Sequence, residues 1–125
     1  MNINRTENGE QQAVLEWCEL NSGRYPELKL LYHIPNEGKR SKSNGALLKS
    51  MGLKKGVPDM CLPVSRGGFH ALYIELKKDK NAKTSAEQLE WYRALNAVGN
   101  LCFIAYGADD AIRILKSYIS WEAEQ

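Results

Sequence analysis

Nowhere does this chain approach the ~20 consecutive apolar residues that a membrane-spanning helix requires, so no segment reads as a membrane anchor. The opening run MNINRTENGE lacks a basic flank followed by an apolar core, the pattern of a secretory signal, and export is not expected. Cysteine is scarce: Cys18, Cys61 and Cys102 are odd in number, far apart and without the paired spacing of a zinc site. They read as reduced, packed thiols, which fits a cytoplasmic location. A strong net charge is also missing, since +2 is too small by itself to announce a polyanionic partner. The telling absence is local. From Lys39 to Pro58 there is no acidic residue, while Lys39, Arg40, Lys42, Lys49, Lys54 and Lys55 all fall in that span.

A second basic group, Lys77, Lys78, Lys80 and Lys83, follows the next apolar run. Either group alone reads as a solvated loop; together, on both sides of Asp59 and Glu75, they resemble the walls of a phosphate-binding cleft. With 125 residues and a hydrophobic fraction of 43%, the chain has enough material for one compact domain spanning residues 1–125 and its core.

The pattern predicts a first helix from about Glu10 to Asn21, capped by Asn8 or Gly9. Leu28 to Ile34 has strand character, Pro35 to Asn44 reads as a loop, and a short helix around Ala46 to Met51 closes at Gly52. Val57 to Leu62 and Ala71 to Lys77 read as two strands joined by a hairpin. In the second, Leu72, Ile74 and Leu76 alternate with Tyr73, Glu75 and Lys77, so the charged residues share a face. A helix begins at Thr84 or Ser85 with Glu87 or Gln88 completing a capping box and stops at Gly99. Leu101 to Tyr106 reads as a buried strand and Ala108 to Ile119 as a helix with Ile112, Leu115 and Ile119 on one stripe. Trp17, Trp91 and Tyr92 are expected in the core. The order αβαββαβα describes an α/β protein, a central mixed sheet flanked by helices.

Asp59 and Glu75 each sit within an otherwise apolar stretch, where a charge is costly to bury without a partner. Mg²⁺ prefers hard oxygen ligands and often takes one or two carboxylates, so a divalent cation is one such partner. Lys77, two residues after Glu75, can hold or deprotonate a water, or stabilise charge on a phosphate. The plainer alternative is a surface hairpin whose Asp, Glu and Lys face water.

Gly56-Val57-Pro58-Asp59, then Ile74-Glu75-Leu76-Lys77, then Gln88 and Trp91 in the next helix, resemble the virus-type replication-repair nuclease (VRR-NUC) family of the PD-(D/E)XK superfamily. Glu10 with Gln12, and the run His33-Ile34-Pro35-Asn36-Glu37-Gly38 followed by Arg40, extend the resemblance over roughly residues 7 to 119. It implies a restriction-endonuclease-like fold. Asp59, Glu75 and the Leu76 backbone carbonyl would bind Mg²⁺ or Mn²⁺, with Glu10 a further candidate directly or through water. Lys77 would position the nucleophilic water, and Gln88 would orient Lys77 or the phosphate, or simply cap its helix. His33, Asn36, Lys39, Arg40, Lys42, Lys54, Lys55 and Lys78 are candidate DNA contacts, His33 being equally readable as an ordinary strand-end residue. The resemblance further implies DNA as substrate, four-way junctions favoured, in phage or prophage replication, recombination or repair inside a bacterial host. Cutting two junction strands symmetrically needs two active sites, hence a two-fold homodimer. A nicking or restriction-type nuclease on duplex DNA, and a non-cleaving DNA-binding module, are the competing readings.

Overall fold

The structure, a computed structural model, describes residues 6–35 and 42–123. Helix α1 spans Glu7–Leu20. It starts earlier than the pattern implies because Thr6, not Asn8 or Gly9, is the cap: its hydroxyl accepts the Gly9 N–H at 3.1 Å, which draws Gly9 into the first turn. The run expected to be one strand divides. Pro26 presets the backbone of a 3₁₀ turn, Pro26–Leu30, anchored by the buried Leu28, and the strand β1 is left with Tyr32–His33 alone. Helix α2, Lys42–Ser50, closes on Gly52 with φ +106°, the left-handed stop the sequence indicates.

Strand β2 (Met60–Leu62) pairs antiparallel with both β1 and β3 (Leu72–Lys77), and β3 pairs parallel with β4 (Leu101–Tyr106), giving one mixed sheet in the order β1-β2-β3-β4. Helix α3, Ala86–Ala97, is the crossover between the two parallel strands. Ser85 caps it in a full capping box with Gln88. Helix α4, Ala108–Ile119, ends the regular structure.

The two faces of the sheet are used differently. Leu72, Ile74 and Leu76 of β3 join Val14 and Cys18 of α1 and Ala111, Leu115 and Ile119 of α4 in the main hydrophobic core. Tyr118, a residue the stripe does not single out, is fully buried there and donates its hydroxyl proton to the Val64 carbonyl, so the phenol is not left unsatisfied. The opposite face carries Tyr73, Glu75 and Lys77, with α3 packed over its β4 side and tied there by Asn96, whose amide bonds the backbone of Cys102. Trp17 packs on the core as expected. Trp91 and Tyr92 do not: they are half-buried on α3, outside that cluster, with Trp91 lining a surface groove beside Glu90 and Ala94. The cause is topological, since α3 sits on the polar face. All three cysteines are free and buried. Burial raises the thiol of Cys18 to about 11 and that of Cys102 to about 12, which keeps them protonated and unreactive. No helix among the described residues is long and apolar enough to cross a membrane.

Candidate active site

The site begins with a glycine. Gly56 has φ +89°, and a Cβ there would fall 2.6 Å from the Glu87 carbonyl carbon and 2.8 Å from the Gln88 nitrogen. Only glycine lets the segment leading to Asp59 press this closely on the first turn of α3. Asp59 then follows, one residue before β2, where the β2–β3 register sets it opposite Glu75. Its carboxylate Oδ2 accepts the Leu76 N–H at 2.7 Å.

Asp59, Glu75 and Lys77 are 6%, 5% and 8% exposed, so the reading of a hairpin with three solvated charges does not hold. Lys77 Nζ lies 3.7 Å from Glu75 Oε2 and donates to Gln88 Oε1 at 2.8 Å. Gln88 Nε2 donates to Glu75 Oε2 at 3.0 Å. The same Gln88 Oε1 accepts the Ser85 N–H at 2.9 Å. Capping and orienting are therefore one arrangement, in which the helix cap fixes the amide that holds Lys77 and Glu75 in place.

Among the described residues the buried charges of the site are Asp59, Glu75 and Lys77. Burial raises the Asp59 carboxyl above its ordinary value, against the opposing pulls of the Leu76 N–H, a hydrogen bond with Glu75, and the charges of Lys77 and His33. Two buried carboxylates, one on β3 and one just ahead of its neighbour β2, are the hard oxygen donors that a divalent cation takes. The Leu76 carbonyl suits the same cation. In a strand, the N–H and C=O of a residue point to the same side, and the Leu76 N–H reaches Asp59; β2 begins at Met60, opposite Ile74, so the carbonyl opens beyond the end of that ladder.

His33 stands at the end of β1, exposed, with Nδ1 donating to the Asp59 carbonyl at 3.1 Å. It braces the backbone that carries Asp59. Glu10 is less central. Its Oε2 accepts the Ala108 N–H at 2.6 Å, capping α4 from another helix, and the neighbouring Gly107 N–H donates to the Lys77 carbonyl at 2.7 Å. It belongs to the same end of the sheet, but among the described residues no group of three or more His, Cys, Asp or Glu is gathered closely enough to hold a metal. Lys54, Lys55 and Lys78 are exposed, Lys55 lying 3.8 Å from Glu87. Asn36, Lys39 and Arg40 lie outside the described residues, as does the side chain of Lys42. What the sequence did not disclose is the packing role of Gly56 and the bracing role of His33. The available signal for the first was a glycine two residues before Pro58-Asp59.

The sequence profile of the VRR-NUC domain matches residues 4–109. The chain belongs to the VRR-NUC domain family. A solved structure described as a "VRR_NUC domain protein" superposes with a TM-score of 0.80 at 30% identity, covering 98% of this chain and 94% of that one. No curated protein matches. The profile takes in every residue of the Asp59, Glu75, Lys77 and Gln88 cluster, and the structural match extends through α4. This VRR-NUC domain has the restriction-endonuclease-like α/β fold and is a nuclease domain, with DNA the substrate its family points to.

Proposed function

We propose that this VRR-NUC domain is a metal-dependent endonuclease that hydrolyses DNA phosphodiesters, and that it selects branched DNA, four-way junctions above all. The observation that carries the proposal is the buried Asp59 and Glu75 pair beside a lysine whose position is locked by Gln88. Carboxylates placed against an anionic phosphate make sense only with a cation between. Asp59, Glu75 and the Leu76 carbonyl fit Mg²⁺ or Mn²⁺ in number and hardness of donors, with Glu10 reaching it through water. When bound, the ion supplies charge neutralisation at the phosphate and acidifies water.

The residues do the rest. Lys77 has three N–H donors; one is taken by Gln88 and one faces Glu75, leaving a third for the attacking water or a phosphate oxygen. Because the ammonium is held from two sides, it need not be ordered when substrate arrives. Exposed Lys54, Lys55 and Lys78, with Lys42, contact the backbone and read shape rather than base order. Symmetric cutting of a junction needs paired sites, so the active form is a homodimer.

Cleavage of junction, flap, duplex and single-stranded DNA, with and without Mg²⁺ or Mn²⁺, tests this. Cutting should vanish in EDTA and run faster on the junction than on linear duplex of the same sequence. Equal rates on both would reduce the enzyme to a duplex nickase. Lys77→Ala should bind DNA nearly as before and lose cleavage by at least a hundredfold, as for loss of a positioned proton-transfer group; unchanged cleavage would remove Lys77 from the chemistry.

A further inference from the structure

One row of side chains crosses the active-site face beside the carboxylates. Tyr32 of β1 is opposite Cys61 of β2, Cys61 opposite Tyr73 of β3, and Tyr73 opposite Cys102 of β4. Side chains two apart on a strand share a face, so Tyr73 lies on the side of Glu75 and Cys61 on the side of Asp59. Tyr32, across from Cys61, belongs to that same face. It stands roughly 7 Å along the strand direction and about 5 Å across it from Asp59, from ordinary strand spacings.

The row is buried at its centre and open at its β1 end. Cys61 and Cys102 are each 2% exposed, whereas Tyr32 is 50% exposed. Yet Tyr32 does not sit on a free loop: pairing of β1 with β2, Tyr32 opposite Cys61 and His33 opposite Met60, fixes its backbone while half of the residue faces solvent. What it offers to solvent is an aromatic surface carried on a paired strand, beside the cluster that would cut a phosphodiester. Phosphate oxygens are served by the exposed lysines; an exposed aromatic ring is suited to the face of a base.

We propose that Tyr32 is a stacking platform for an unpaired DNA base next to the phosphate that is cut, so that cleavage favours positions where a base has left the duplex stack. This rests on the nuclease reading above and gives its preference for branched DNA a physical origin. Within a continuous duplex both faces of every base are covered by its neighbours, and the platform finds nothing to bind. At a fork, flap or junction an unstacked base is available, and aromatic stacking on it requires no particular sequence.

The test compares the full chain with Tyr32→Leu and Tyr32→Phe, substitutions at an exposed edge position that leave the core intact. DNA forks with unpaired tails and linear duplex of the same sequence are titrated with Ca²⁺ as the divalent ion, a 2-aminopurine being placed at the unpaired position. The expected result is quenching of the 2-aminopurine on binding, tighter binding to the fork than to the duplex, and a loss of roughly tenfold on the fork alone in Tyr32→Leu. Tyr32→Phe should stay within about threefold of the parent, since it keeps the ring. Equal losses on fork and duplex, no loss on either, or quenching that persists in Tyr32→Leu would overturn the proposal. The two readings fail separately: Tyr32-dependent quenching without any cutting in Mg²⁺ or Mn²⁺ defeats the nuclease mechanism alone, and cutting that ignores Tyr32 on fork and duplex defeats the platform alone.

Discussion

Replacing Gln88 with glutamate exchanges one NH₂ group for one oxygen and changes little in shape. The carboxylate still accepts from Lys77 Nζ and from the Ser85 N–H, which now stand at 2.8 Å and 2.9 Å from Oε1. What is lost is the donor to Glu75 Oε2 at 3.0 Å, and an anion takes its place beside two acids already 5–6% exposed. A hydrogen bond to a charged group contributes about 1.5–3 kcal/mol. If that is lost from the reacting arrangement, cleavage falls roughly ten- to a hundredfold, since about 1.4 kcal/mol is a factor of ten. The added charge also raises the proton affinity of the acid cluster, so the pH at which cleavage reaches half its maximum should move upward. Single-turnover cleavage across pH at saturating Mg²⁺ measures both effects, and a thermal melt shows whether the helix cap has survived. Wild-type rates with an unmoved pH profile would mean that the Gln88 amide is a helix cap and nothing more.

Three further outcomes follow from the same geometry. Because burial raises Asp59 in the folded chain, the folded state holds that proton more tightly than the unfolded one; metal-free stability should fall as pH rises from the ordinary carboxylate range through the raised value, Mg²⁺ should restore it, and Asp59→Asn should remove both effects, all read from melting temperature against pH in EDTA and in Mg²⁺. A melting temperature indifferent to pH and metal would contradict the burial-raised proton affinity of Asp59. Glu10→Gln keeps an oxygen for the Ala108 N–H and should melt like the parent while losing cleavage if its charge serves the metal, whereas Glu10→Ala should also lose about 1 kcal/mol of stability, as for a helix cap. Gly56→Ala places a Cβ 2.6 Å from the α3 backbone at φ +89° and should cost about 2 kcal/mol or more, measured by denaturant titration, with cleavage falling further because Gln88 must shift.

Much of this could be read along the chain. Strand β4 and helix α4 run as the pattern indicates, Leu101–Tyr106 and Ala108–Ile119, because a dense apolar run and a wide apolar stripe are local signals. Alternation in β3 put Glu75 and Lys77 on one face, and the capping box at Ser85 and Gln88 was visible as letters three apart. Where local signals compete, the pattern was less reliable: Thr6 took the α1 cap, and Pro26 turned the head of an apparent strand into a 3₁₀ turn.

The chain's own order of residues thus specified which groups were available: two acids, a lysine and a glutamine, each on an element whose type local chemistry sets. Their encounter was another matter. Asp59 accepts the N–H of a residue 17 positions away, Glu10 one 98 positions away, and Tyr32 joins the active-site face only because β1 pairs with β2 in that register. Burial of the acids, the raised proton affinity of Asp59 and the exclusion of Trp91 and Tyr92 from the main core all depend on α3 closing over the polar side of the sheet. Such facts come from packing between distant segments, and no periodicity within a strand or helix carries that information.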